Sequence, residues 1–277
     1  MIQVDAHHHV WHVARGDYGW LTPDLAIYRD YALAELRPLL GDISATILVQ
    51  AAPTEAETAF LLRVAHDSQG LVRGVVGWTD LSAPRAAARV AALARERRLV
   101  GLRPMLQDIA DTHWILLPEV QPALRAMMEF GLRFDALVQP RHLTSLLTLA
   151  MLHPRLRIVI DHIAKPAIAQ GTWQPWADAV ALLAEETTMT CKLSGLVTEA
   201  AAAWQDDDLR RYVDHVVQCF GPTRVMWGSD WPVVDLAGGY ARWRAASLRL
   251  LAGLDAAARD AILGGTAAAF YGLGVAA

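Results

Sequence analysis

The chain has 277 residues, 54% of them hydrophobic, a content that excludes a disordered protein and suits elements covered on both faces. Its net charge is −4 with no basic block, which argues against nucleic acid or an anionic membrane as a partner. The two cysteines, Cys191 and Cys219, form no Cys-x-x-Cys pair; this, with no apolar run of spanning length and no signal-like start, sets the expectation of a soluble cytoplasmic protein without a disulfide framework.

Met1 to Val4 is an apolar run that reads as a short buried strand, and it leads into Asp5-Ala6-His7-His8-His9-Val10-Trp11. On an extended chain side chains alternate, so His7 and His9 share one side and His8 takes the other. Two imidazoles leaving a strand end together can bind a divalent metal or flank a reacting carbonyl. A tag remnant or an ordinary polar loop is the plainer alternative. The stretch from Arg15 to Pro23 has glycines and aromatics without periodicity, and reads as a binding loop or a surface excursion. Tyr31 to Leu40 predicts a short helix.

A pattern then repeats. Strands are predicted at Ala45–Ala51, Val72–Thr79, Leu99–Pro104, Leu132–Val138, Arg157–His162, Met189–Leu193 and Arg224–Gly228. Helices are predicted near 55–68, 84–98, 118–130, 143–152, 176–186 and 206–220, with two more near 240–251 and 255–271. With the first strand this makes eight apolar strands alternating with helical or irregular chain, the pattern of a parallel sheet. Eight such units predict an α/β fold, a (β/α)₈ TIM-type barrel forming a single domain over residues 1–277. A doubly wound open sheet is the alternative, but no Gly-rich phosphate loop follows any strand.

In such a barrel chemistry collects at the C-terminal strand ends. Those ends carry Asp5, His7 and His9; Gln50; Arg103; Asp161-His162-Ile163-Ala164-Lys165-Pro166; Lys192-Leu193-Ser194-Gly195; and Gly228-Ser229-Asp230-Trp231-Pro232. Each has a dull alternative, since Asp230 could cap a helix and Lys192 could pair with a core carboxylate. Their convergence is what points to a site.

Asp-x-His-x-His after strand one, a histidine after a middle strand and Gly-Ser-Asp-Trp-Pro after strand eight resemble the amidohydrolase superfamily. With Arg-Gly-Asp-Tyr-Gly-Trp-Leu, Asp-His-Ile-Ala-Lys-Pro and Lys-Leu-Ser-Gly-Leu, the chain resembles more narrowly the amidohydrolase-2 group of sugar-acid lactonases. The motifs run from Asp5 to Val233. Two departures stand out. Metal-rich members carry a lysine after strand four and a histidine after strand five, where this chain has Arg103-Pro104 and Asp135-Ala136-Leu137, so a binuclear centre is not supported. Many lactonases of the group also have Gly-x-Arg-His where this chain has Gly101-Leu102-Arg103-Pro104; His113 is one candidate to substitute.

The resemblance implies a hydrolase that opens the ring ester of an aldonolactone, a small-molecule sugar lactone being its partner. It implies Asp230 as general base and His7, His9 and His162 as groups that polarise the carbonyl. It also implies that His7, His9, His162 and Asp230 could hold one Zn²⁺, with no organic cofactor. Arg103, Lys165, Lys192, Trp20 and Trp231 are candidates for holding the sugar, and Trp11 is a further aromatic nearby. A decarboxylase of an aromatic or muconate-type acid within the same superfamily is the rival, and a metal-free binding protein on a degenerate barrel is a third reading. Association into a homo-oligomer stays open.

Overall fold

The computed structural model describes residues 2–274. Among them, eight parallel strands lie in sequence order: β1 Val4–His8, β2 Ala45–Val49, β3 Val72–Gly77, β4 Leu99–Leu102, β5 Arg133–Ala136, β6 Ile158–Ile160, β7 Thr190–Leu193 and β8 Val225–Trp227. Short runs of Val, Ile and Leu make these strands, because a parallel sheet covered by helices is dry on both faces. Helices over Glu55–Asp67, Ala86–Leu93, Gln121–Glu129, Leu143–Leu152, Trp176–Glu186, Asp206–Phe220 and Tyr240–Leu250 form the outer layer. No helix of the described residues is long and apolar enough to cross a membrane.

The seam between β8 and β1 is closed by the segments that carry the polar motifs. Asp230 N–H donates to His7 O at 2.8 Å, and His9 N–H donates to Trp231 O at 2.7 Å. Buried Asp5 accepts from Ser229 N at 2.9 Å and His7 N at 3.2 Å. Gly228 permits the approach, since a Cβ there would lie 2.7 Å from His7 Cβ. The first and last strand ends are thereby fixed to each other by backbone bonds, which hold the two histidines and Asp230 in one frame.

Three differences from the sequence expectations have physical reasons. The first strand starts at Val4 and runs into the histidine motif, ending at His8, whereas the apolar run predicted it to precede the motif (Met1 lies outside the described residues). Its register shifts between Asp5 and His8, as at a bulge, which re-aims side chains. The helix predicted over 255–271 is broken by a wider π turn at Ala261–Gly265. There Gly264 packs against β1's approach, and a Cβ would fall 1.9 Å from Ile2 O. Finally, a left-handed turn follows β6, with positive φ at His162, Ile163, Ala164 and Lys165. Nothing in the apolar pattern signals it.

The barrel interior is layered. Val4, Ala45, Ile47, Val49, Val76, Val159 and Met226 pack with Phe270 and Tyr271 of the last helix. Charged residues come next along the interior, and the histidines beyond them at the C-terminal strand ends.

Candidate active site

His7, His9 and Asp230 present one ligand atom each within 4.8 Å of one another, all three buried. His7 Nε2 lies 3.2 Å from His9 Nε2, and Asp230 Oδ1 lies 3.3 Å from His9 Nε2 and 3.6 Å from His7 Nε2. A tetrahedral zinc with bonds of about 2.0–2.1 Å sets its ligand atoms roughly 3.3 Å apart. The trio therefore fits that ion by spacing. Tautomer supports it at His9, whose Nδ1–H donates to Val49 O at 2.8 Å and leaves the Nε2 lone pair facing inward. His162 stands at the edge, its Nε2 3.9 Å from Asp230 Oδ1, and forms a second group with His7 and Asp161.

His162 is delivered by the left-handed turn. Left-handed backbone disfavours a non-glycine residue by about 1–2 kcal/mol, so four in succession need external support. Lys165 N–H closes the turn on His162 O at 2.8 Å, and Trp176 Nε1–H donates to Ile163 O at 2.7 Å. The His162 ring pairs through Nδ1 with Ser194 Oγ at 2.9 Å. It also lies against Gly195, where a Cβ would come within 2.5 Å of Nδ1 and φ is +65°.

Beneath His7 is a buried charged column. Tyr271 Oη donates to Asp135 Oδ2 at 2.7 Å, and Lys192 Nζ donates to the same oxygen at 2.6 Å. Lys192 also meets Asp161 Oδ1 at 3.0 Å and His7 Nδ1 at 3.1 Å. Arg103 pairs with Asp161 Oδ2 at 3.2 Å, donates to Gln50 O and comes within 3.4 Å of His7 Nε2. Gln50 returns a bond from Nε2 to the Arg103 backbone O at 2.8 Å, while its own backbone O holds the guanidinium.

Above this centre opens a cavity of about 310 Å³, a volume suited to a small molecule. His9, His162, Asp230 and Arg103 form its ionisable floor, Gln107, Lys165 and Thr198 a polar side, and Trp20, Leu25, Val233 and Leu236 an apolar one. Lys165 is paired with Glu199 at 3.1 Å. Trp20 is held by donation from Nε1 to Ala51 O at 2.7 Å, so the irregular 15–23 loop is part of the wall.

Several expected residues are placed elsewhere. Lys192 lies in the charged column, fully buried, and is not on the cavity wall. Trp231 is buried against Tyr31, ring centroids 5.3 Å apart, and Trp11 donates to Arg29 O; neither lines the cavity. His113 bonds Ser145 Oγ at 2.8 Å and does not replace a histidine after Arg103. His8 points away, pairing with Thr46 Oγ1 at 2.9 Å. The sequence offers no signal for Met105, Gln107, Leu25, Leu236 and Thr198, which stand in irregular chain or in helical turns too short for periodicity to distinguish them.

Electrostatics separate the roles. Burial lowers the His162 pKa to about 4, and it holds His7 well below the ordinary range with help from the Lys192 charge. Burial alone would raise Asp230, but His162, His9 and His7 outweigh it and keep this carboxyl below the usual range. The site thus holds an anionic carboxylate facing neutral His7 and His162 at neutral pH.

A family model for amidohydrolases matches residues 4–273. The chain is 47% identical over 282 residues to an L-fucono-1,5-lactonase from Burkholderia ambifaria, covering 97% of this chain and 95% of that protein. It is 36% identical over 293 residues to an L-fucono-1,5-lactonase from Burkholderia multivorans, covering 98% and 96%. A crystal structure of an amidohydrolase from Burkholderia multivorans with bound zinc has a TM-score of 0.92 at 36% identity, covering 99% of this chain and all of that one.

Proposed function

Because the chain belongs to the amidohydrolase family, we propose that it is a lactone hydrolase that opens the ring ester of a sugar-acid lactone, with Asp230 as general base. The observation that carries this reading is Asp230 on the cavity wall, its Oδ1 turned to three histidines and its Oδ2 taking part in none of those contacts. A water in the cavity gives its proton to this carboxylate as its oxygen bonds to the lactone carbonyl carbon. The carbonyl oxygen gains negative charge, which the Arg103 guanidinium and the His162 imidazole on the cavity wall would stabilise. The ring C–O bond then breaks, and the proton held by Asp230 passes to the leaving alkoxide. The open-chain acid ionises, so one proton is released per turnover. His7, His9 and Asp230 would hold a zinc ion, which supplies Lewis acidity toward the carbonyl and lowers the pKa of water. Lys165, Gln107 and Thr198 are placed to hold hydroxyls, and Trp20 with Leu25 and Leu236 to cover the carbon skeleton.

Proton release on a panel of five- and six-carbon aldonolactones, L-fuconolactone included, tests this, each assayed after chelator treatment and after zinc addition. Turnover of at least one lactone is expected. Release of CO₂ from an aromatic acid, with no lactone opened, would replace hydrolysis by decarboxylation.

Gly195→Ala probes the seat of His162 on the same reading. The added methyl would strike the ring at 2.5 Å, and a displacement of about 1 Å at a reacting group can lower the rate roughly 10²-fold. Steady-state kinetics beside a thermal melt are expected to show that loss in a folded protein. Unchanged kcat/KM would mean that His162 does not need this placement.

A further inference from the structure

His7 has a cationic donor near each ring nitrogen: Lys192 Nζ at 3.1 Å from Nδ1 and Arg103 at 3.4 Å from Nε2. A neutral imidazole accepts at only one nitrogen and carries a proton on the other. Lysine is a donor only, and Lys192 is fully buried with its ammonium already committed to Asp135 and Asp161. Its remaining direction is His7 Nδ1. With the proton on Nε2, Nδ1 accepts from Lys192, the nearer cation, and Nε2–H donates to the His9 Nε2 lone pair at 3.2 Å, while Arg103, 3.4 Å from Nε2, is engaged by Asp161 and Gln50 O. That lone pair is free because His9 Nδ1–H is spent on Val49 O. With the proton on Nδ1, an N–H would face an ammonium, its alternative acceptor, Asp161 Oδ1, would be 3.6 Å away, and two lone pairs would face each other across His7 and His9.

We propose that Lys192 is a positioning residue that locks His7 with its proton on Nε2 in the metal-free protein, and thereby sets how tightly the His7–His9–Asp230 trio binds a divalent cation. To ligate through Nε2, His7 has to move its proton to Nδ1 against the ammonium, or lose that contact. Lys192 thus opposes the cation at the one ligand it touches, while His9 is already arranged to receive it. The consequence for catalysis rests on the lactonase reading, but the tautomer and the metal affinity are read without any substrate.

Two measurements test this. In the chelator-treated wild-type protein, ¹⁵N-resolved imidazole spectra, with the His7 signals assigned by their loss in His7→Asn, are expected to show Nε2 protonated and Nδ1 bare. A protonated Nδ1 would overturn the proposal, and this arm needs no Lys192 variant to fold. The second is zinc affinity by chelator competition. Lys192→Met alone would leave a carboxylate unpaired, so it is combined with Asp135→Asn to preserve net charge. In the double variant Asp161 can accept Nδ1–H, and zinc is expected to bind at least about tenfold tighter than to wild type. Unchanged or weaker zinc binding by a folded double variant would refute the link between Lys192 and the metal. Absent lactonase activity in every form, with the tautomer as expected, would discard the functional reading and leave this one standing.

Discussion

Asp230→Asn is expected to leave the protein folded and to lower kcat and kcat/KM together by about 10²–10⁴, the range a positioned general base contributes. The substitution is nearly silent for the backbone. Asp230 sits at φ +59°, and asparagine is among the few residues that tolerate this region as well as aspartate does. Its N–H bond to His7 O is kept, so the seam between β8 and β1 stays closed. What is lost is an anionic acceptor. A cap or a seam bond would survive the change, and near-normal lactone turnover would leave Asp230 with that structural role alone. The pH profile adds a second check. Asp230, held below the ordinary carboxylate range, stays ionised through mild acid. His162, with its pKa lowered to about 4 by burial, is neutral above that value and gains a proton only below it. Activity that needs the neutral ring is therefore present above about pH 4 and lost as pH falls through it. An acid limb near the ordinary imidazole value of 6.5 would contradict this environment for His162.

The barrel was legible because its strands are dry on both faces and its helices are amphipathic, so the alternation of apolar runs and helical stretches is written in composition. Helices at Leu143–Leu152, Trp176–Glu186 and Asp206–Phe220 begin and end where the pattern predicts. Breaks were hidden wherever a tertiary contact decides the backbone: the π turn depends on Gly264 meeting Ile2 O, and the left-handed turn on Trp176 and Ser194 holding residues from another part of the chain. The same limit applies at the site. Asp230 and the histidines lie in motifs at strand ends, so position alone brings them together. Lys192 lies at such an end too, but its length allows it to turn inward to Asp135 and Asp161, and only the packing shows that it reaches His7 Nδ1 and does not line the cavity. The cavity's apolar side comes from isolated residues of loops and short helical turns, such as Leu25 and Leu236, whose spacing carries no signal.

The three consecutive histidines give the sharpest internal control, because they have the same chemistry and different surroundings. His7→Asn and His9→Asn are each expected to lower kcat roughly 10²-fold, the loss typical when a reacting group, here Asp230, is displaced by about 1 Å. Each removes an imidazole whose Nε2 faces Asp230, at 3.6 Å for His7 and 3.3 Å for His9. Zinc binding should weaken in both, since each is one of only three ligand atoms in the trio. His8 stands a single residue away and is expected to contribute to neither. It is fully buried with its pKa lowered to about 3 by burial, and its Nε2 pairs with Thr46 on β2. His8→Asn loses that pairing and some packing, for which about 1–3 kcal/mol of stability is the expected loss. Turnover per folded molecule should stay within a few-fold of wild type. A melting curve shifted without a kinetic defect at His8, beside kinetic defects without a comparable shift at His7 and His9, is the expected pattern. Equal kinetic losses at all three would show that the motif acts as a structural unit, and would withdraw the separate roles given to its two inward-facing rings.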